Sequence, residues 1–376
     1  MKRTLAALLC VCALLPSAAH AAAPQAEAAA AVLMEKETGA LLYEQDAHDK
    51  REPASVTKIM TLLLVMEALE EGRLALTDQI AVSAHAASMG GSQVYLKEGE
   101  RMSAGELIKA VAVVSGNDAA VALAEHIAGS ESAFVSRMNE KAAQLGMADT
   151  NFVNCTGLPA AGHLTSAYDI ALMSRELILR HPQVREYTTI WMDTIRDGQF
   201  QLANTNRLVR FYEGCTGLKT GFTTSALYCL SATAEREGME LIAVVLGAPT
   251  SAQRFTAAQD LLTYGFANYT LVDVRPGQAI PPVAVSLGTS ETVQPVLGES
   301  SRILVEKARL DQVSTDLRLT DAVEAPVEAG QKLGELVVTA GGETLRTIPL
   351  VAHEGVDRIT VPGLFFRLIR TLFLSS

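Results

Sequence analysis

Cysteine is scarce in this chain. There are five in 376 residues; Cys10 and Cys12 fall near the start, and only Cys155, Cys215 and Cys229 lie in the body. So small and odd a number excludes a disulfide-built scaffold and leaves at least one thiol unpaired within the chain. There is no Cys-x-x-Cys and no His-Glu-x-x-His, and His48, His85, His126, His163, His181 and His353 are scattered. No metal site and no cofactor are expected. Positive charge is also short: 31 Lys plus Arg face 42 Asp plus Glu, a formal net charge of −11. Such an acidic body argues against a nucleic-acid partner and gives no general attraction to anionic lipid.

Long apolar runs are missing too. Leu5 to Leu15 falls short of the about 20 residues that a bilayer span needs. It follows Lys2 and Arg3, breaks at Pro16 and leads to small residues ending Ala19-His20-Ala21, the pattern of a cleaved export signal over residues 1–21. Cys10 precedes the end of the apolar stretch, which argues against a lipoprotein. A mature chain starting near Ala22 loses Lys2 and Arg3 and no acidic residue, so its formal charge moves from −11 to −13. What the chain has in plenty is apolar matter: 49% hydrophobic residues over 376 positions suggest about two domains with a sizeable core.

Ala31–Glu35 and Ala40–Glu44 flank Lys36-Glu37-Thr38-Gly39 and read as a hairpin. From Ser55 to Glu71 the period becomes helical and the helix is apolar nearly all round, which predicts a core position. Ser103 and Glu106 form a capping box that opens a helix through Val114, and a second helix runs from Asp118 to Ala128. Further helices are expected at Ala133–Leu145, Ala167–Leu179 and Ala252–Phe266, and a hairpin from Leu227–Ala234 and Met239–Leu246. Strands at both ends with helices between predict an α/β domain, 22–269, whose antiparallel sheet is assembled from distant parts of the chain. From 270 to 356, short Val- and Leu-rich runs broken by Gly and Pro predict a small all-β domain.

Ser55-Val56-Thr57-Lys58 is the only Ser-x-x-Lys in the chain. Positions three apart share a helix face, so the Ser55 hydroxyl and the Lys58 amine can meet. In apolar surroundings Lys58 is desolvated, which lowers a lysine pKa and lets the neutral amine act as a base toward serine. A place in the first helical turn also aims backbone N–H groups at a developing oxyanion. Ser115-Gly116-Asn117, at a helix junction, supplies a second hydroxyl and an amide; Lys219-Thr220-Gly221, read as lying just before a strand, supplies a cation, a hydroxyl and a position without a side chain. Each alone reads equally well as a turn or a helix stop. The three in this order and spacing form the serine acyl-transfer set of β-lactamases and penicillin-binding proteins, with Gly116 in place of an aspartate.

Pro53 to Thr61, Val114 to Ala119, Thr156-Gly157-Leu158, His163 to Asp169 and Gly217 to Thr223 together closely resemble the D-alanyl-D-alanine carboxypeptidase family, and the resemblance runs from about Ala31 to the C-terminus. It implies a β-lactamase/transpeptidase-like domain and removal of the terminal D-alanine from peptidoglycan stem peptides through a Ser55 acyl-enzyme. That activity regulates cell-wall cross-linking and is blocked covalently by β-lactams. In the same terms Lys58 resembles the base and Ser115 the proton relay to the leaving amine. Asn117 resembles the residue that orients the substrate amide. Lys219, Thr220 and Gly221 match the site for the terminal carboxylate, assisted by Arg254, and the backbone N–H groups of Ser55 and Phe222 match the oxyanion hole. Class A β-lactamases add a glutamate for deacylation, and no Glu-x-x-x-Asn lies between Ser115 and Lys219.

Cys215-Thr216 departs from the pattern, since many relatives carry an apolar residue and an aspartate there; this puts local geometry and redox sensitivity in doubt. The resemblance places Cys155 and Cys215 near the active-site rim and leaves open a disulfide between them, although separate thiols are the expectation. In the segment 357–376, Arg367, Arg370 and Thr371 fall on one stripe of a helix from Leu364 to Leu374 that is otherwise Leu, Phe and Ile. The pattern suits an amphipathic helix lying on the outer face of the cytoplasmic membrane, with docking on the β domain as the alternative.

Overall fold

A computed structural model describes residues 23–374; the signal expected at residues 1–21 lies outside the described residues. The first domain is built on a five-stranded antiparallel sheet. Its strands are β1 (Ala30–Glu35), β2 (Leu41–Gln45), β3 (Cys215–Thr223), β4 (Leu227–Arg236) and β5 (Met239–Ala248), in the order β2-β1-β5-β4-β3. The N-terminal hairpin therefore joins a sheet whose other strands arrive about 170 residues later in the chain, as the pattern predicts. Every residue of β1 is buried. Ala30, Val32 and Met34 face a helical core and Ala31 and Leu33 face the opposite side, so an unbroken apolar run marks a strand covered on both faces.

The helical core holds α1 (Lys58–Glu70), α2 (Ala104–Val114), α3 (Asn117–Ala128), α4 (Glu131–Gln144) and α5 (Ala167–Arg180). Every residue from Lys58 to Met66 is buried, which is why α1 shows no polar face. The Ser103 hydroxyl caps α2 by accepting from Glu106 N at 3.3 Å. A last helix, α6 (Ser251–Asn268), covers the other face with Leu261 and Leu262. The β4–β5 hairpin turns at Glu237 (φ +51°) and Gly238 (φ +74°), the left-handed pair a two-residue turn demands.

The second domain is all-β. Tyr269–Asp273 pairs with Arg302–Glu306, and a four-stranded sheet runs in the order Pro295–Leu297, Glu343–Ala352, Lys332–Ala340, Val313–Leu319. Polar groups join the two domains: Arg302 reaches Glu37 at 2.6 Å and the Gly238 carbonyl at 2.7 Å, and Lys307 reaches the Phe266 carbonyl at 2.8 Å. The C-terminal helix spans Val361–Leu374. Arg367, expected on its polar stripe, donates to the Gly288 and Thr289 carbonyls of the β domain at 2.8 and 2.9 Å. Phe365 and Phe366 are exposed. The side chains of Leu368, Arg370, Thr371 and Leu372 lie outside the described set. Among the described residues no helix is long and apolar enough to cross a membrane.

Candidate active site

Ser55 lies in a 3₁₀ turn, Ala54–Thr57, and α1 begins at Lys58. This corrects the expectation of a serine inside the first α-helical turn. Ala54 takes φ +49° and Val56 N bonds back to Pro53 O at 3.3 Å, so the chain is wound more tightly than an α-helix here. In a 3₁₀ turn, residues three apart eclipse one another. Ser55 Oγ accordingly stands 3.0 Å from Lys58 Nζ.

Lys58 Nζ has two further partners, Asn117 Oδ1 at 2.5 Å and the Thr156 carbonyl at 2.6 Å, and both can only accept. A neutral amine has two hydrogens and one lone pair. With both hydrogens spent on those acceptors, the lone pair is left to the Ser55 hydroxyl. Complete burial holds the Lys58 pKa down to about 7, against the opposing pull of the nearby Asp118 carboxylate. Desolvation is the largest cause; the Asp118 carboxylate itself accepts from the N–H groups of Val94, Leu96 and Ala119 at 2.9–3.2 Å.

Ser115 sits in the left-handed region, φ +64°, at the end of α2. Its buried hydroxyl has no hydrogen-bond partner among the described residues. Left-handed backbone at a residue with a side chain costs about 1–3 kcal/mol, and an unmade buried hydrogen bond about 1–3 kcal/mol more. A fold that tolerates both at one serine leaves that hydroxyl free for another task. Asn117 is turned by its Nδ2 donating to the Gly90 carbonyl at 2.7 Å, so its Oδ1 faces Lys58.

Lys219, Thr220 and Gly221 lie within β3 rather than before a strand. Gly217 and Gly221 break the apolar run that would have marked it, and β3 is an edge strand. A Cβ at Gly221 would meet Pro53 O and Ser55 N at 3.0 Å, so glycine lets this edge approach the serine turn without pushing it aside. Lys219 is buried, its Nζ donates to the Thr220 carbonyl at 2.9 Å, and desolvation with the nearby Lys58 and Arg254 cations holds its pKa well below the usual value. Thr220 donates to Thr205 Oγ1 at 2.7 Å. Arg254 packs behind the strand: its Nη1 donates to the Gly221 carbonyl at 2.9 Å, and the guanidinium stacks on Phe255 and Tyr228. Phe222 is half-exposed at the rim, 4.4 Å from the Tyr228 ring.

Cys155, Cys215 and Cys229 are separate thiols. Burial raises the Cys215 pKa to about 11, so the thiolate needed for redox reactivity is scarce at neutral pH. Thr216 donates to Glu240 Oε1 at 2.7 Å and lies 2.8 Å from Thr233 Oγ1, and Glu240 is paired with Lys36 and Arg185. The start of β3 is thus tied down by hydrogen bonds at the departure from the family pattern.

Residue reading assigned no role to Thr156, Gly157, Asp118 or Thr205. A Cβ at Gly157 (φ +83°) would fall 1.8 Å from Ala54 O, so its glycine brings the Thr156 carbonyl onto Lys58. Its signal was present as an isolated Gly; nothing in sequence spacing marks Thr205 or Asp118.

Comparison with known proteins gives the family and the fold. Residues 17–250 match the model of the family described as D-alanyl-D-alanine carboxypeptidase, and residues 274–358 match that of the C-terminal domain of penicillin-binding protein 5. The D-alanyl-D-alanine carboxypeptidase DacF of Bacillus subtilis is 41% identical over 372 residues, 95% of each chain. Penicillin-binding protein 5 from Haemophilus influenzae superposes with TM-score 0.82 at 31% identity, over 90% of this chain and 100% of that one. Penicillin-binding protein D2 from Listeria monocytogenes, solved with ampicillin bound, superposes with TM-score 0.59 at 35% identity, over 64% of this chain and 98% of that one. With Lys58 bonded to both Ser55 and Asn117 and both domains matched, the chain belongs to the D-alanyl-D-alanine carboxypeptidase family.

Proposed function

We propose that this chain removes the terminal D-alanine from peptidoglycan stem peptides outside the cytoplasmic membrane, with Ser55 as nucleophile. The observation that carries this reading is the buried Lys58 amine, 2.5–3.0 Å from Ser55 Oγ, Asn117 Oδ1 and the Thr156 carbonyl, a set of contacts that in the neutral amine leaves its lone pair to Ser55. Lys58 takes the Ser55 proton as Oγ attacks the penultimate D-alanine carbonyl, and the N–H groups of Ser55 and Phe222 receive the oxyanion. The C–N bond then breaks and the leaving amine takes a proton through Ser115, giving an acyl ester and free D-alanine. Water attacks the ester, surrenders a proton to Lys58 and restores Ser55. β-Lactams acylate the same serine and stay. The catalytic unit is assigned to 22–269, the β-rich unit to 270–356 and the membrane helix to 357–376.

Lys219, with Thr220 and Gly221, receives the substrate's terminal carboxylate, and Arg254 assists by holding the Gly221 carbonyl. Burial, the largest cause, lowers the Lys219 pKa, and an incoming carboxylate beside it favours the charged form. A charge-assisted hydrogen bond is worth about 1.5–3 kcal/mol. Lys219→Ala should therefore lose about tenfold to a hundredfold more kcat/KM on a D-Ala-D-Ala peptide than on its C-terminal amide. Equal losses on both would refute carboxylate recognition.

The same proposal places the C-terminal helix on the membrane surface. Arg367 ties one side of it to the β domain, and Phe365 and Phe366, 61% and 70% exposed, point away from any core. Burying them in the lipid interface is worth about 1.5–3 kcal/mol each, more than the screened repulsion of an acidic body. Truncation after Pro362 should release the mature protein from vesicles with turnover on a small peptide unchanged. Continued co-sedimentation of the truncated protein would place the anchor elsewhere.

A further inference from the structure

The turn before Ser55 is strained, and something must hold it. Ala54 takes φ +49°, a conformation costing about 1–3 kcal/mol that persists only where its surroundings over-determine it. We propose that His163 and Thr57 form a positioning relay that pins the Ala54 carbonyl and thereby aims the Ser55 N–H at the substrate oxyanion. This rests on the reading of Ser55 as the nucleophile.

The Thr57 hydroxyl is fully buried and donates to Ala54 O at 2.9 Å. A hydroxyl has one proton, so its second contact, His163 Nε2 at 2.8 Å, must be one in which the imidazole donates. The other ring nitrogen agrees: Val153 N–H donates to Nδ1 at 3.0 Å, which leaves the proton on Nε2. The chain of donors therefore runs one way, from Val153 N–H to the imidazole, from Nε2–H to Thr57, and from Thr57 to Ala54 O. Burial, the largest cause, holds the His163 pKa down to about 4, so the ring stays in the neutral form this relay needs.

A trans peptide unit is planar and its C=O and N–H point in opposite directions. Fixing Ala54 O thus fixes the direction of the Ser55 N–H, which belongs to the same peptide. Two other observations converge on that peptide. Gly157 presses on Ala54 O from the loop that also carries Val153, and that loop is tied back to the His163 region where Asn151 and Leu164 exchange backbone hydrogen bonds at 2.8 and 3.1 Å. Gly221 also closes on this peptide: a Cβ there would lie 3.0 Å from Ser55 N, and glycine keeps that approach free of a side chain. The loop thus supplies Lys58 with the Thr156 carbonyl and orients the donor beside the nucleophile at the same time.

The test is single-turnover acylation by a chromogenic β-lactam, resolved into pre-covalent affinity and the acylation rate constant. Loss of one oxyanion donor typically costs about 10²–10³-fold, so misaiming it should cost about tenfold to a hundredfold. Thr57→Val, which keeps the shape and removes the hydroxyl, should lower the rate constant by that factor and leave affinity within about threefold, with Thr57→Ser restoring most of the rate. His163→Leu should behave as Thr57→Val, and His163→Gln, which retains a donor, should be milder; this pair carries the test should Thr57→Val not fold. Wild-type rate constants in Thr57→Val or His163→Leu, or a loss confined to affinity, would overturn the relay. An adduct that persists in Ser55→Ala would instead remove the nucleophile reading beneath it, so the two failures are separable.

Discussion

Replacing Lys58 by alanine lowers the rate constant for acylation by a β-lactam by about 10²–10⁴-fold, the usual span for a positioned general base. The same experiment run against pH identifies the base. Acylation needs the proton-free amine, and burial brings the Lys58 pKa from 10.5 to about 7. The wild-type rate constant should therefore rise with pH through about 7 and level off above it. Below that point the ammonium has no lone pair to offer. At pH 7 about half of the enzyme is active, whereas an unshifted lysine would leave a fraction smaller by a factor on the order of 10³. Lys58→Ala should lose the rising limb together with the rate. A Lys58→Ala protein that keeps the limb near pH 7 would assign the base to another group. The effect comes from desolvation, so it depends on α1 being buried all round, a property set by Ile59 to Met66 rather than by any residue of the cleft.

That dependence shows how much of the site was legible before the structure. Ser55 and Lys58 could be paired because their spacing is local and because the apolar residues around them leave no polar face. The two hairpins that supply β1, β2, β4 and β5 were legible from their turns and apolar runs: β1 and β5 are apolar without alternation, as strands covered on both faces must be. The place of Lys219-Thr220-Gly221 inside β3 was not, since Gly217 and Gly221 weaken the strand pattern and are present for contacts with other parts of the chain. The 3₁₀ winding at Ser55 was likewise hidden, because Ala54 gives no hint of a positive φ and the groups that impose it, Thr57, Gly157 and His163, come from two distant segments. Arg254 was legible as a residue near the site but not in its orientation, since nothing local shows that its guanidinium turns to the Gly221 carbonyl. Ser115 was recognised by its motif; its left-handed backbone and unpartnered hydroxyl, the physical reasons for a role, exist only in the folded chain.

The central claim is that Ser55 becomes covalently acylated, and intact-mass analysis of the mature protein after exposure to penicillin tests it most directly. Two serines with unusual surroundings compete for the assignment. Ser55 has the Lys58 amine at 3.0 Å, whereas Ser115 has an unpartnered hydroxyl with no base bonded to it among the described contacts. The account predicts a single adduct of one penicillin mass, mapped by peptide analysis to Ser55, retained in Ser115→Ala at a reduced rate of formation and absent from Ser55→Ala. An adduct mapped to Ser115, or one of full yield in Ser55→Ala, would contradict it.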